Sequence, residues 1–218
     1  LGKQKNVIRP SVASVLPSPN GNVILLDSGS SLDVKPKILY QYAVMGSKLF
    51  EILFEKENPR IGLLNNGEEE RKGRDVEKAA FKMLQNSSLN FVGNVEGRDF
   101  ATNKVDVFVT DGFTGNVVLK TLEGTAKLQQ SLISASLKQN LFKPFLPSVK
   151  KALKPVKDQL NPDKTNASYL LGVDGLVTIG HGSSKQEAIM NGIQYTNESI
   201  NKDFIGKFSD AIKELWVI

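Results

Sequence analysis

The hydrophobic pattern of this chain repeats one unit, a short apolar run followed by a loop rich in glycine, asparagine and charged residues. Four such runs occur, at 23–26, 61–64, 89–92 and 105–110. Three of the four loops are followed, directly or soon after, by apolar positions at helical spacing. Repetition of strand, polar turn and helix is typical of an open, mostly parallel sheet. We therefore predict an α/β fold with helices on both faces of the sheet and with its polar loops gathered along one edge, where ligands bind in such sheets.

Apolar positions at helical spacing predict five helices, at about 36–56, 75–85, 117–137, 185–199 and 203–216. Asp33 is expected to cap the first of them, and Pro36 is tolerated in its first turn. A further strand is predicted at 175–179. Residues 1–22 are predicted to form an irregular connection, because they contain three prolines and an Asn-Gly turn signal.

Residues 136–164 have a different pattern, in which seven lysines face only two aspartates and alternate with apolar residues. Prolines at 144, 147 and 155 are expected to break this segment into short helical pieces. A basic amphipathic segment of this kind can lie on an anionic membrane or dock an acidic protein. The alternative is a helical hairpin whose apolar side packs on the domain or on a second subunit.

The composition of the chain excludes several classes of protein and of functional site. A length of 218 residues suits one large domain, and no apolar run approaches the roughly 20 residues of a membrane span. Zero cysteines exclude disulfides, thiolate metal sites and a cysteine nucleophile, and a single histidine excludes most histidine-based metal sites. The net charge of +5 favours acidic partners but not nucleic acid, since no run of aromatics alternates with basic residues. The start at Leu1 is neither a methionine nor a signal peptide, so we expect a fragment.

Two of the polar loops contain groups that suit an anion. In the loop at 111–116, backbone N–H groups at a predicted helix start could hold phosphate, and Asn116 could donate to an oxyanion. The alternative is a strand-to-helix turn capped by Asp111 or Thr114. In the charged run at 68–73, Lys72 stands beside a glycine and could clamp a phosphate. The alternative there is a solvated helix start.

Two further residues have open interpretations. His181, between glycines after a predicted strand, is either a general acid or base or a ring bonded to a nearby carbonyl. Asp27, after the first apolar run, either orients a basic group or caps its own turn. A carboxylate site for Mg²⁺ stays open on sequence alone.

The most specific pattern in the chain lies in four segments, at 62–69, 90–99, 111–124 and 181–184, and shorter segments at 9–10, 26–29, 35–36 and 43–47 agree with them in order and spacing. Together these segments resemble a known family, the acyl-ACP:phosphate acyltransferases (PlsX) of bacteria and plastids. The family is about half as long again, and its N-terminal part, with a Gly-Gly-Asp loop, has no counterpart here. The resemblance implies one N-terminally truncated α/β acyltransferase domain over 1–218, a three-layer sandwich like isocitrate and isopropylmalate dehydrogenases. Residues 136–164 would form a protruding basic helical hairpin inserted in it.

The resemblance also implies a reaction, in which acyl-ACP and inorganic phosphate give acyl phosphate and free acyl carrier protein during phospholipid biosynthesis. A phosphate oxygen attacks the thioester carbonyl, so no protein nucleophile, metal or cofactor is needed. Lys72 would neutralise phosphate or the oxyanion, and Asn116 would donate a hydrogen bond. Further substrate-binding or phosphate-binding candidates are Asn65, Gly67, Asn94, Asp111, Gly112, Thr114, Gly115 and His181.

The implied partners are an acyl carrier protein, phosphate, a second copy of the chain and an anionic membrane. The residues implied in membrane or partner contact are Leu141, Phe142, Phe145, Leu146 and Val149. The expected location is the cytoplasm, peripheral at the inner membrane face, or the plastid stroma for an algal protein. Three alternatives stay open: a phosphotransacylase using coenzyme A, a decarboxylating dehydrogenase of the same architecture, and a non-catalytic domain that binds carrier or lipid.

The chain departs from the family pattern at two places. Family members usually have asparagine where this chain has Arg74, which adds positive charge beside Lys72. Arg74 is expected either to alter phosphate affinity or to point outward. Family members also commonly show Asp-Val-Gly-Ala-Asn where this chain has Asp-Ser-Gly-Ser-Ser at 27–31.

Overall fold

A seven-stranded mixed sheet forms the centre of the computed structural model, which describes residues 1–19, 21–137, 146–159, 168–180, 184 and 186–213. The strands are β1 (Ser11–Ser18), β2 (Gly21–Leu26), β3 (Ile61–Leu64), β4 (Phe91–Val95), β5 (Val107–Val109), β6 (Ser168–Leu171) and β7 (Thr178–Ile179). Their order across the sheet is β4-β3-β5-β2-β1-β6-β7.

Strand direction divides the sheet into two parts. Neighbouring strands in the row β4-β3-β5-β2 are parallel, whereas β1 is antiparallel to both β2 and β6, and β7 is antiparallel to β6. Strand β6 therefore points the same way as the four parallel strands, and most of the described strands share one direction. The predicted open, mostly parallel α/β sheet is confirmed.

Strand β1 corrects the prediction that residues 1–22 form an irregular connection. It pairs with β2 as a hairpin, from Ala13 opposite Leu26 to Ser18 opposite Gly21. The strand lies inside the sheet and is largely buried on both faces, so it lacks the apolar–polar alternation that identifies a half-exposed strand. Among the described residues, β6 pairs with β1 only at 11–14, so in this part of the chain Pro17 has a strand partner on the β2 side alone, a position that tolerates proline.

The helices are α1 (Pro36–Phe54), α2 (Asp75–Gln85), α3 (Gly112–Leu137), α4 (Leu146–Gln159), α5 (Gln186–Asn201) and α6 (Phe204–Lys213), with a 3₁₀ turn at Gly97–Ala101. Asp33 does not cap α1, because the residue before Pro36 is Lys35 and no side chain caps this helix. Pro155 lies inside α4 without breaking it, contrary to the prediction of short pieces. The predicted strand at 175–179 shortens to β7.

Helices cover both faces of the sheet, as predicted. On one face α1 packs against β2 and β5 and is flanked by α2 and α6. On the other face a smaller cluster includes Phe100 and Phe108, whose rings stack at 3.8 Å, and the first half of α3 packs against it. The result is a three-layer arrangement. None of the helices in the described part of the chain combines the length and apolar character needed to cross a membrane.

A buried carboxylate fastens the amino ends of the parallel strands. Asp106, just before β5, is 6% exposed. It accepts hydrogen bonds from the Arg60 backbone N–H at 2.8 Å, from Arg60 Nε at 3.0 Å and from Lys56 Nζ at 2.9 Å. Burial would raise the pKa of Asp106, but these bonds outweigh it and lower the pKa to about 2. Cavities of about 230 and 180 Å³ lie near this end of the sheet.

The Asp106 cluster predicts a pH dependence of stability. Because folding lowers the Asp106 pKa from an ordinary 3.8 to about 2, its contribution is complete above about pH 4 and is lost as pH falls toward 2. Asp106→Asn should lower the melting temperature at pH 7 and flatten its dependence on pH between 4 and 2. Calorimetry across that range checks this, and a variant with an unchanged acid slope would contradict it.

Candidate active site

The carboxyl ends of the four parallel strands lie side by side and release four polar segments at one edge of the sheet. In spatial order these are 96–99 after β4, 65–74 after β3, 110–116 after β5 and 27–31 after β2. We call them together the carboxyl rim. The prediction that the polar loops gather along one edge is confirmed, because parallel pairing brings like ends of the strands together.

Helix α3 begins earlier than predicted, at Gly112 rather than at about Val117, so residues 112–116 are its first turn. Both glycines there are required by close packing on the 27–31 segment. A Cβ at residue 115 would lie 1.8 Å from the Asp27 carbonyl oxygen, and one at residue 112 would lie 2.6 Å from the Ser31 backbone. Glycines lower helix propensity, which explains why the pattern placed the start too late.

Three backbone N–H groups of this first turn already have partners. Gly112 N–H donates to the Ser31 carbonyl at 2.7 Å, Thr114 N–H to Asp111 Oδ1 at 2.8 Å, and Gly115 N–H to the Asp111 carbonyl at 2.9 Å. A phosphate would have to displace one of these bonds in order to use those donors. The three residues therefore shape the rim in this structure.

Asp111 caps α3, which is the simpler of the two interpretations offered by the sequence. Its side chain is 2% exposed, and Oδ2 accepts from Thr114 Oγ1 at 2.9 Å and from Arg74 Nη2. Burial would raise the pKa of the Asp111 carboxyl, but the bonds from Thr114 and Arg74 outweigh it and hold the pKa below its ordinary value. The carboxylate is thus occupied in holding the rim together.

Asn116 lies over the glycine of the neighbouring rim segment. A Cβ built at Gly29 would be 3.6 Å from both Asn116 Cβ and Oδ1. Asp27, two residues before Gly29, is fully buried and caps its own turn, accepting from Gly29 N–H at 2.9 Å and Ser30 N–H at 2.8 Å. Within the described part of the chain the Asn116 amide has no hydrogen-bond partner, so its donor is free.

The 65–73 loop is closed by its own polar side chains. Asn65 Nδ2 donates to the Lys72 carbonyl at 3.1 Å, and Asn66 Oδ1 accepts from Gly73 N–H at 3.0 Å. Gly73 has φ of +90°, and a Cβ there would lie 2.6 Å from Asn65 Oδ1, so only glycine fits. Asn65 and Gly73 thereby fix the backbone of Lys72.

Lys72 lacks the carboxylate partner that most other cations in or beside the rim have. Arg98 pairs with Glu96, Lys104 with Glu68 at 3.0 Å, and Arg74 with Glu77 and Asp111. Lys72 is half-buried, and Gly67 leaves room for its stem, since a Cβ at 67 would lie 2.9 Å from Lys72 Cγ. Among the described residues neither Lys72 nor the exposed Arg71 has an ion pair or hydrogen bond to its side chain. Of these two free cations, Lys72 is the better held.

Asn94, near the end of β4, is a second polar group with unused capacity. It is 3% exposed, and its Nδ2 donates to the Glu69 carbonyl at 2.9 Å, which ties β4 to the 65–73 loop. Its Oδ1 is buried and has no hydrogen-bond partner in the described part of the chain. An unsatisfied buried acceptor marks a place where a donor is expected to bind.

Arg74 is the residue whose role the sequence analysis missed. Its side chain is 60% exposed, but its guanidinium bonds two buried carboxylates, Glu77 on α2 and Asp111 at the start of α3. Glu77 also accepts from the Arg74 backbone N–H at 2.8 Å. The three-residue spacing of Arg74 and Glu77 at a helix start was a visible signal for the first contact. The contact with Asp111 depends on strand order and had no sequence signal.

Some predicted residues fall outside the described part of the chain, namely His181, Leu141, Phe142 and Phe145. Leu146 and Val149 are half-buried on α4. In the described ranges, no three histidine, aspartate or glutamate side chains are grouped as a metal site requires.

Comparison with protein families finds a match to the family model described as fatty acid synthesis protein, over residues 1–207. A phosphate acyltransferase of Thermosipho melanesiensis is 38% identical over 99% of this chain and 65% of its own length. One from Clostridium perfringens is 40% identical over 97% of this chain and 63% of its own length. The chain thus spans about two thirds, 63–65%, of the length of these relatives.

Solved structures agree at the level of the fold. The EutD phosphotransacetylase from Staphylococcus aureus has a TM-score of 0.55 and 13% identity, covering 91% of this chain and 56% of that one. A branched-chain phosphotransacylase from Enterococcus faecalis has a TM-score of 0.56 and 12% identity, covering 88% of this chain and 65% of that one.

The packing of α3 on the rim predicts opposite effects for two glycines of one helix. Gly115→Ala should destabilise the fold by about 1–3 kcal/mol, because the new methyl group collides with the Asp27 carbonyl. Gly124→Ala is the matched control, because nothing lies within 4 Å of a Cβ built at residue 124. Alanine there should stabilise the helix by about 0.5–1 kcal/mol. Urea denaturation measures both, and equal midpoints for the two variants would show that the contact is unimportant.

Proposed function

Because the chain belongs to the fatty acid synthesis protein family, in which its curated relatives are phosphate acyltransferases, we propose that it transfers an acyl group from a thioester to inorganic phosphate. The observation that supports this most is that a half-buried lysine without an ion pair in the described residues, Lys72, and an exposed amide, Asn116, lie on two rim segments that the Arg74–Asp111 ion pair joins.

The proposed reaction needs positioning and charge neutralisation from the protein. A phosphate oxygen attacks the thioester carbonyl carbon, and the new C–O bond forms as the carbonyl oxygen becomes an oxyanion. The tetrahedral intermediate collapses, the C–S bond breaks, and the thiolate leaves and takes a proton from water. Phosphate is itself the nucleophile, which suits a chain with zero cysteines. The protein can therefore lower the activation barrier mainly by bringing the two reactants together and by stabilising the negative charge that develops.

Lys72 and Asn116 suit these two tasks. A lysine without a carboxylate partner keeps its full charge for phosphate or for the oxyanion, whereas a paired cation offers little. The exposed Asn116 amide can donate to the developing oxyanion in exchange for a hydrogen bond to water, without breaking a bond within the described part of the chain. Asn65, Gly67, Gly112, Thr114 and Gly115 act by shaping the rim, and Asn94 ties β4 to the 65–73 loop through its bond to the Glu69 carbonyl. Direct contact of Asn94 with phosphate stays a prediction. A role for His181 stays a prediction.

The acyl donor that we propose is an acyl carrier protein, within phospholipid synthesis in the cytoplasm or a plastid stroma. Carrier proteins of this kind present acidic surfaces, and a chain with a net charge of +5 is complementary to them. We also propose that the chain acts as a homodimer. Coenzyme A thioesters are the alternative acyl donors, and turnover with palmitoyl-ACP compared with palmitoyl-CoA distinguishes the two classes of donor.

The function predicts turnover by the purified chain. Incubated with palmitoyl-ACP and phosphate, the 218-residue protein should form acyl phosphate that hydroxylamine traps as the hydroxamate. Lys72→Ala should lower the rate by about 10²–10³-fold, because a charge-stabilising group is lost. Lys78→Ala, on the exposed side of α2 with only a 3.7 Å contact to Asp75, is the matched control and should keep the wild-type rate.

Each other outcome of this assay has a defined meaning. Faster turnover with palmitoyl-CoA than with palmitoyl-ACP would assign the chain to the coenzyme A-dependent class. Carrier binding without turnover would assign it a non-catalytic role. Wild-type turnover in Lys72→Ala would remove that lysine from the mechanism.

Helix α4 supports a second, peripheral part of the proposal, contact with an anionic membrane. Its lysines Lys150, Lys151 and Lys154 are exposed, while Leu146 and Val149 are half-buried on one stripe. A cationic helix with an apolar stripe can lie in the headgroup region, where anionic lipids attract the lysines.

Membrane contact predicts that Leu146→Ser combined with Val149→Ser weakens co-flotation with vesicles rich in phosphatidylglycerol. The loss of apolar burial should reduce binding about tenfold or more, since each buried methylene contributes about 0.8 kcal/mol. Neutral phosphatidylcholine vesicles provide the control, because they should bind neither form. Undiminished flotation of the double variant would leave α4 with a purely structural role.

A further inference from the structure

Arg74 joins the two parts of the rim that hold Lys72 and Asn116. From the position just before α2 its Nε donates to Glu77 Oε1 at 3.0 Å, and its Nη2 reaches both Glu77 and Asp111. Asp111 is 37 residues further along the chain, between α3 and β5, the strand next to β3. Of the contacts described above, this is the one that links the 65–74 segment directly to the start of α3.

The charges around Arg74 argue against a direct role in binding an anion. One guanidinium serves two carboxylates whose side chains are only 8% and 2% exposed, so the group of three has a net charge of −1. Hydrogen bonds to Glu77 and then to Asp111 raise the pKa of Arg74, so these two carboxylates favour its charged form. A phosphate would have to compete with both carboxylates for it.

The backbone between Arg74 and Lys72 has little freedom to move. The residue between them, Gly73, is held against Asn65, which also bonds the Lys72 carbonyl at 3.1 Å. A shift of Arg74 is therefore transmitted to Lys72. On the other side Asp111 bonds Thr114 through both N–H and hydroxyl, so a shift of Asp111 is transmitted to the turn that presents Asn116.

We propose that Arg74 is a positioning residue, which acts through Asp111 to hold the Lys72 loop at a fixed separation from the first turn of α3. The proposal rests on the proposed function, since it assigns Arg74 to the reaction of that site. Arginine suits the task because its planar fork spans two carboxylates at once, which the single ammonium of lysine does not do as well. Misplacement by about 1 Å can cost about 10²-fold in rate.

The test compares two arginines in similar ion clusters at opposite ends of the sheet. Arg74→Gln should lower kcat for acyl phosphate formation roughly 10- to 100-fold and leave the phosphate KM within about twofold. Arg60→Gln, which breaks the cluster around Asp106 far from the rim, should lower the melting temperature while keeping kcat. Asp111→Asn keeps the helix cap but loses the ion pair, and combined with Arg74→Gln it should be no slower than the slower single variant.

Two kinetic results would overturn the proposal. Wild-type kcat in Arg74→Gln would show that the link is not used. A raised phosphate KM with unchanged kcat would make Arg74 a phosphate-binding residue instead.

A second measurement decides the positional link even if the wild-type chain makes no acyl phosphate, a result that would by itself refute the proposed function. Amide hydrogen exchange should accelerate across 65–73 and the first turn of α3 in Arg74→Gln, and should stay at the wild-type rate there in Arg60→Gln. Unchanged exchange at both segments in Arg74→Gln would disprove the positioning role.

Discussion

The carboxyl rim depends on one close contact, the packing of the first turn of α3 on the segment after β2. Only two residues, Thr110 and Asp111, connect β5 to α3, and Gly115 passes so near the Asp27 carbonyl that a single methyl group would overlap it. The contact is possible because Asp27 satisfies the N–H groups of its own turn, and because Gly112 donates to Ser31. Parallel pairing already brings the ends of β2 and β5 together, as far as the bond from Asp27 N–H to the Thr110 carbonyl. The close approach of Gly115 adds that Asn116 lies over Gly29.

Electrostatics then distinguishes Lys72 from most of its neighbours. Along the rim, most arginines and lysines are paired with nearby carboxylates, and two of these pairs brace the 65–74 segment from both sides: Glu68 with Lys104, and Arg74 with Asp111. In the described residues Arg71 is also unpaired, but it is exposed and less firmly held than Lys72. Lys72 lies between the two braces, half-buried and without such a partner in the described residues. An ordered but uncompensated charge is what a site for a small oxyanion requires, because a cation already paired has little attraction left to offer.

The opposite end of the sheet has a similar ion cluster with a different consequence. Asp106 forms ion pairs with Arg60 and Lys56 where β3 and β5 begin. The lowered pKa of Asp106 means that the folded state favours its charged form. There the cluster only holds strands together. At the rim, the corresponding cluster around Asp111 also sets the spacing of the two groups to which we assign the chemistry, which is why its loss is expected to affect rate as well as stability.

The sequence by itself determined the elements that have a strong period and the end of the sheet at which polar residues collect. Helix α2 was predicted at its observed bounds, and the repeated strand–turn–helix order required like strand ends to meet. Strand β1 and the true start of α3 were missed, because a strand buried on both faces has no alternation and because glycines chosen for close approach resemble a loop. Only the tertiary structure decided that Arg74 reaches Asp111, since that contact depends on β3 and β5 being neighbours in space although β4 lies between them in the chain.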